Sequence, residues 1–498
     1  MGFRSRFRQL LDEAPEGAPA IEFEGEWISW GLLQSVSRTI DGILHEHSLA
    51  DGARVGVVLE NRPEHVGAVL ALMASRRCVV TLSPLQPPER LSADIERSDV
   101  PFVVVSTEML ARPGIREAIE KVGHVLELDA AGGVTVGGAA ISSTSTTSPG
   151  TAIEMLTSGT TGPPKRVRLS DQQFERSLAT SVPEPKPNVL FRKGVSLVYT
   201  PLVHIGGLWG AVSALYSGRS IVLMHRFVLD HWVDAVERHR PRAAGLVPGA
   251  LRSVLDADVP AEKLSSLQVV TSGTTFCPPD LADAFFEKYG IRVLMTYGAT
   301  EFAGAIAAWT LPMHQEWWAT KSGSAGRAMP GVDLQVVDAN GVKQPLGATG
   351  LLEVRSAQSS AGSATWVRTS DLARVDADGF VFIVGRADDA IVRGGFKVQP
   401  TQVAQVLERH AAVREASVAP FPDDRLGHVP VAGVEVVPGE PRPEPAELVA
   451  LCREFLMPYE VPVHVVVLDE LPRTPSSKVS RVDLLDAVRE SMLQGQPA

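Results

Sequence analysis

The chain has 498 residues, with 47 Lys and Arg against 58 Asp and Glu and a formal net charge of −11. Single hydrophobic cores stop growing at roughly 250 to 300 residues, so this length predicts at least two domains. The acidic balance argues against a general nucleic-acid or anionic-membrane surface.

Cys78, Cys277 and Cys452 lie far apart and match no metal-ligand spacing. They read as reduced thiols of a cytoplasmic protein. The N-terminal stretch MGFRSRFRQLLDEAPEG lacks the apolar core of a signal peptide, and no run approaches the roughly 20 apolar residues of a membrane helix.

In chain order, RVGVVLE (54–60) reads as a strand, and Asn61 is placed to cap the helix that follows, with Pro63 in its first turn. Val66, Val69, Leu70 and Met73 share one face of that helix, and CVVTLS (78–83) is the next strand, which makes a β-α-β unit. Further strands are predicted at 101–105, 196–200, 220–224 and 267–272, while the Gly-, Ser- and Thr-rich segment 132–150 reads as a connecting loop. From Gly323 the pattern turns strand-rich, with hairpin signals at Asn340-Gly341 and Asp378-Gly379; DADG at 376–379 lacks the downstream glutamate of a calcium loop. A helix is predicted from about Thr401 to His410 in a mixed C-terminal segment of about a hundred residues.

The pentapeptide TSGTT occurs twice, at 157–161 and 271–275. In the first copy the predicted strand TAIEML runs into Thr157, Ser158, Gly159, Thr160, Thr161 and Gly162, with Lys165 beyond. Glycines let backbone N–H groups turn toward an anion, hydroxyls add donors, and a lysine supplies full charge. The spacing differs from the G-x-x-x-x-G-K-[ST] loop. Ser170 and Gln173 have the spacing of a capping box for the next helix.

TSGTTGPPK resembles the phosphate-loop signature of the acyl-adenylate-forming superfamily, in pattern nearest to its acyl-CoA synthetases. TPLVHIGGL (200–208), YGATE (297–301), the run 368–398 and LPRTPSSKVSR (471–481) are similar to further motifs of that family, in its order. The resemblance implies an α/β protein. A large N-terminal domain of parallel-sheet layers with a β-rich subdomain (1–387) would be followed by a small, mobile α+β domain (388–498).

It also implies an ATP- and magnesium-dependent ligase that adenylates a carboxylic acid, releases pyrophosphate and passes the acyl group to CoA. In that reading Thr157 to Thr161, Gly162 and Lys165 hold the β and γ phosphates, Thr300 contacts the α-phosphate, and Glu301 binds magnesium. Tyr297 stacks on adenine beside Gly298, and Ser272, Gly273 and Thr274 of the second TSGTT form a pocket wall. Asp371 and Arg386 hold the ribose, Lys478 bridges carboxylate and α-phosphate, Asp388 is the hinge, and Gly394 and Gly395 admit pantetheine. His204 is either a core histidine or a border of the acyl or thiol channel; Trp209 is a core aromatic or a substrate contact. Glycines 206, 207, 245 and 273 are expected to leave room for an aromatic or medium-chain acid.

Arg166, Ser370 and Ser477 stand where relatives commonly have glycine, and Val392, Gln402 and Ala404 where charged residues are common. These departures leave open a carrier-protein thiol, an amine or another nucleophile as acceptor, and another oxyanion such as nitrite as substrate. The reading from a different class is a nucleotide-binding scaffold without catalysis. Lys165, Glu301, Asp371 and Lys478 argue against it.

Overall fold

The strand Arg54–Val58 is buried along its length, the helix Pro63–Ala74 follows, and Cys78–Leu82 returns beside the first strand in parallel. This is the β-α-β unit read from the sequence. The computed structural model describes every residue except 1, 139–146, 157–165, 187, 360, 361, 363, 395, 475–477 and 495–498, and the side chain of residue 397.

Two local expectations change. The helix has no single apolar face, because all 12 of its residues are buried, Glu64 and His65 included. Each covered Val, Leu or Met contributes about 1.5–3 kcal/mol relative to exposure. The same burial favours neutral forms of the polar pair: Glu64 is pushed up to about 7 and His65 down to about 3, in both cases mainly by loss of water. Nor does Asn61 cap the helix. Arg62 takes the N-cap position, without a side-chain bond, and the Asn61 carboxamide reaches backbone some 140 residues further on, with Leu202 N–H donating to it across a separation of 141 residues.

A seven-stranded sheet is built on this unit, in the order Val134–Gly137, His124–Leu128, Phe102–Ser106, Arg54–Val58, Cys78–Leu82, Thr151–Leu156 and Arg166–Ser170. Its central strands are parallel and both edges antiparallel. A second sheet of four strands holds Val195–Val198 and Ser220–Leu223 side by side in parallel. A third, of five, runs Ala243–Gly245, Val269–Ser272 and Arg292–Ala299 in parallel and ends in two antiparallel strands. In parallel sheets, ligand-binding residues gather at the carboxyl ends of the strands.

By internal packing the chain forms two compact units. One runs to Asp333 and is rejoined by Arg355–Val367; the other takes in Leu334–Val354 and the chain from Arg368 onward. The second unit carries most of the strand-rich region. Asp376 accepts hydrogen bonds from the Asp378 and Phe380 N–H groups, and Asp338 from Asn340 and Val342. These are the two predicted turns, each with a glycine at positive φ, Gly379 at 81° and Gly341 at 85°.

The C-terminal sheet contains Val413–Asp423, Gly427–Val436 and His464–Leu468, covered by Pro400–Leu407, Pro445–Phe455 and Arg481–Leu493. The first of these helices stops at Leu407, short of His410, because Glu408 and His410 accept hydrogen bonds from Ala416 and Ala412 in the turn into the next strand. All three cysteines are free and buried; burial pushes Cys78 and Cys277 up to about 12 and Cys452 to about 11. Among the described residues no helix is long and apolar enough to cross a membrane.

Candidate active site

YGATE closes a hairpin at the carboxyl end of a parallel strand. Arg292–Ala299 delivers Tyr297 and Gly298, a single 3₁₀ turn at Thr300–Phe302 carries Thr300 and Glu301, and Gly304–Ala308 returns antiparallel. Only glycine fits at 298: a Cβ there would lie 2.1 Å from the Gly304 carbonyl oxygen. Phe302 is buried and anchors the tip, while the Glu301 side chain is exposed.

The backbone of that tip is held from the helix Asp171–Ser181. The predicted capping box is present, with Ser170 and Gln173 satisfying each other's backbone N–H groups. The Gln173 Nε2 then donates to the Glu301 carbonyl at 3.3 Å and the Gln358 carbonyl at 2.9 Å, and Ser177 donates to the Ala303 carbonyl at 2.8 Å. Gln173 therefore ties the helix behind the first TSGTT segment to the turn that carries Glu301. The capping spacing revealed one end of this bridge; no sequence signal revealed the other.

TPLVHIGGL leads out of the strand Val195–Val198 into the helix Ile205–Tyr216, with His204 at its N-cap. Tyr199 is buried and its hydroxyl accepts from the Val247 N–H at 2.8 Å; desolvation raises its pKa. The second TSGTT lies between this helix start and the YGATE strand. A Cβ on Gly273 would fall 2.5 Å from Thr296 Oγ1, and one on Gly206 would fall 3.9 Å from Thr274 Cγ2. Thr274 has φ of 70°, a left-handed conformation unusual for a β-branched residue.

The four glycines expected to leave room divide into two pairs. A Cβ on Gly207 would lie 2.3 Å from the Pro201 carbonyl oxygen, so Gly207, like Gly273, serves close packing. Gly206 and Gly245 are exposed, and a Cβ there would meet nothing nearer than 3.8 Å. Trp209 packs edge-on against the core ring of Phe174, centroids 5.4 Å apart, and is half-buried.

In the second unit Asp371 and Arg386 are directly opposite each other on paired antiparallel strands. The Arg386 guanidinium forks onto Asp388 at 2.9 and 2.7 Å and donates to Ser370 Oγ at 2.7 Å. The hydrogen bonds that Arg386 donates to Asp388 raise its pKa. Asp389 is likewise paired with Arg481 at 2.9 and 3.0 Å. Gly394 has φ of 56° and its N–H donates to the Leu426 carbonyl.

The backbone of Lys478 is fixed from Thr474, which donates twice to the Lys478 carbonyl, and the neighbouring Arg473 is paired with Glu415 and Glu435. By area the lysine is exposed, yet surrounding protein displaces enough water to lower its pKa, with Arg386 repelling it in addition. The first TSGTT with Gly162 and Lys165, together with Gly395 and Ser477, lies outside the described residues.

The family signature described as AMP-binding enzyme matches residues 7–363, and that of the AMP-binding enzyme C-terminal domain matches 402–478. The chain belongs to the AMP-binding enzyme family. A 4-coumarate–CoA ligase of Oryza sativa subsp. japonica is 30% identical to it over 486 residues, 92% of this chain and 87% of the relative. The solved structure of the o-succinylbenzoate CoA synthetase of Bacillus subtilis in complex with its acyl-adenylate intermediate has a TM-score of 0.76 and 26% identity, covering 96% of this chain and 97% of that one. The amide bond synthetase of Marinactinospora thermotolerans gives 0.79 and 26%, covering 97% and 99%.

The protein is thus an ATP-dependent, AMP-forming ligase with the superfamily's mixed α/β architecture. Two departures from this family's pattern have structural accounts. Ser370 has no positive φ, so the serine is unstrained and accepts from Arg386. Arg166 donates to the Thr81 carbonyl at 3.0 Å and pairs with the buried Asp94 at 2.9 Å.

Proposed function

We propose that this AMP-binding enzyme activates an aromatic or medium-chain carboxylic acid and transfers the acyl group to CoA. The observation that carries the reading is the placing of Thr271–Thr275 between the YGATE strand and the helix start at His204, with open space at Gly206 and Gly245. A 4-coumarate–CoA ligase and an o-succinylbenzoate CoA synthetase among the similar proteins support a ring-bearing acid.

In the first step a carboxylate oxygen attacks the α-phosphorus of ATP and pyrophosphate leaves; in the second a thiol sulfur attacks the acyl carbon and AMP leaves. Thr157, Ser158, Gly159, Thr160, Thr161, Gly162 and Lys165 hold the β and γ phosphates, and Thr300 faces the α-phosphate. Tyr297 stacks on adenine, with Ser272, Gly273, Thr274 and Gly298 lining the same wall. Asp371 accepts from, and Arg386 donates to, the ribose hydroxyls. Their opposed register supports a shared ligand.

Lys478 neutralises charge between the attacking carboxylate and the α-phosphate. The exposed Glu301 carboxylate is a hard oxygen donor of the kind magnesium takes together with phosphate oxygens. Bound there, the ion would neutralise phosphate charge. His204, Gly207 and Trp209 stand on the acid side. Residues 388–498 rotate about Asp388 between steps, bringing Gly394 and Gly395 to the thiol.

The test is pyrophosphate release from ATP and magnesium across aromatic, short, medium and long acids, with and without CoA. Turnover that requires CoA with one acid class, falling about 100-fold or more in Lys478→Ala, is expected. Silence with every acid overturns the reading. A second acceptor is favoured by one observation: Val392, where relatives commonly carry charge, is an exposed apolar side chain, and the similar amide bond synthetase is named for another bond. Mass spectrometry of products with CoA, amines and a carrier-protein thiol separates the two.

A further inference from the structure

We propose that Asn61 is a positioning residue for the acid side of this site: it locks the turn at 200–202 from which the His204 helix starts, and so governs acid affinity while leaving ATP affinity alone. The inference rests on the proposed function.

Asn61 is 7% exposed, and its carboxamide is spent on backbone. Its Oδ1 accepts from the Leu202 N–H at 2.7 Å, and its Nδ2 donates to the Thr200 carbonyl at 3.2 Å and the Met224 carbonyl at 2.9 Å. These three groups lie where the parallel strands Val195–Val198 and Ser220–Leu223 end; the last backbone bond between them runs from Met224 N–H to the Val198 carbonyl. Asn61 thus extends the sheet by one rung, from a different part of the chain.

The turn is confined on its other side as well. His204 N–H donates to the Pro201 carbonyl at 3.0 Å, and the missing side chain of Gly207 lets the helix press onto that same carbonyl and that of Thr200. Held between Asn61 and Gly207, residues 200–202 have no slack. Any displacement passes to the His204 N-cap and the first turn of its helix. The chemistry is specific to a primary amide of this length: one acceptor and two donors on adjacent atoms. Aspartate keeps the acceptor and loses both donors, serine has one hydrogen to give, and glutamine adds a methylene that buried backbone leaves no room for.

The experiment uses the full chain with Asn61→Asp and Asn61→Ala, measuring KM for the acid, KM for ATP and kcat from about pH 6 to about pH 8, and hydrogen exchange of peptides covering 199–206. At about pH 8 the introduced carboxylate is ionised and faces two carbonyl oxygens, so acid KM rises about tenfold while ATP KM stays within about twofold. Desolvation and the facing oxygens raise the carboxyl pKa. Acidification then supplies a proton to donate, and acid KM returns toward wild type, a profile that neither wild type nor Asn61→Ala shares. Exchange at 199–206 is faster in both variants.

Equal rises in both KM values, or an Asn61→Asp profile parallel to wild type, overturn the inference. Unchanged exchange at 199–206 overturns it without any turnover, so it fails even if a variant or the wild type proves inactive. A wild-type chain that activates no acid overturns the proposed function instead.

Discussion

The two compact units hold their candidate residues by different means. In the first, neutral buried groups grip backbone: Asn61 on 200–202, Gln173 and Ser177 on the YGATE tip, and Tyr199 on Val247. In the second, charge pairs do the holding: Arg386 with Asp388, Arg481 with Asp389, and Arg473 with Glu415 and Glu435. A buried amide bonded to backbone has few alternatives and ignores salt. A partly exposed ion pair such as Arg386–Asp388 exchanges partners with water at little cost, whereas Glu435 is buried. The first arrangement suits the fixed receptor for acid and nucleotide proposed above, the second the proposed rotation about Asp388.

The comparison is most severely tested at Gln173. Gln173→Ala removes the partner of the Ser170 N–H and of two carbonyls, and each buried orphan costs about 1–3 kcal/mol. Pyrophosphate release is expected to fall about tenfold or more, equally at low and high salt, with a lower melting temperature. A loss that depends on salt would break the contrast.

Glu64 is a buried ionisable group of the first unit. Its folded pKa of about 7 lies above the ordinary 4.5, so the folded chain keeps a proton that the unfolded chain releases. Stability therefore declines as pH rises from the ordinary value to the folded one, and stays lower above it. The decline amounts to about 3 kcal/mol at most. Glu64→Gln should raise the melting temperature at about pH 8 and leave it nearly unchanged near pH 5, in thermal scans at the two pH values.

The smallest effect is expected in the charged region. Both members of the Arg386–Asp388 pair keep about a third of their side-chain area exposed, 36% and 34%, so Asp388→Asn should change single-turnover transfer to CoA by less than about fivefold. That change should vanish at high salt.

The β-α-β unit, both turn signals and the order of motifs were readable because each depends on residues near in sequence. The strand end that leads to His204 follows from the same local patterns, whereas the strand Arg292–Ala299 that carries YGATE is not among the predicted ones. Asn61 shows the limit. Standing before Arg62-Pro63 it has the local credentials of a cap, and the backbone it serves begins 139 residues away, at Thr200. Gly207 and Gly273 fail for the same reason: absence of a side chain reads as space, and only the fold shows the neighbouring atoms already filling it. Arg166 and Ser370 looked like losses from a motif, and prove to be gains of partners elsewhere.

The three thiols have a practical consequence. With Cys78, Cys277 and Cys452 all buried and their pKa values raised to about 11 or 12, the folded chain presents almost no thiolate at neutral pH. A protein proposed to handle a free thiol would then neither form mixed disulfides with that substrate nor react with a colorimetric disulfide reagent. Consumption of CoA can be followed with such a reagent against a silent background, and a slow rise toward three equivalents of colour in its absence would report the chain opening.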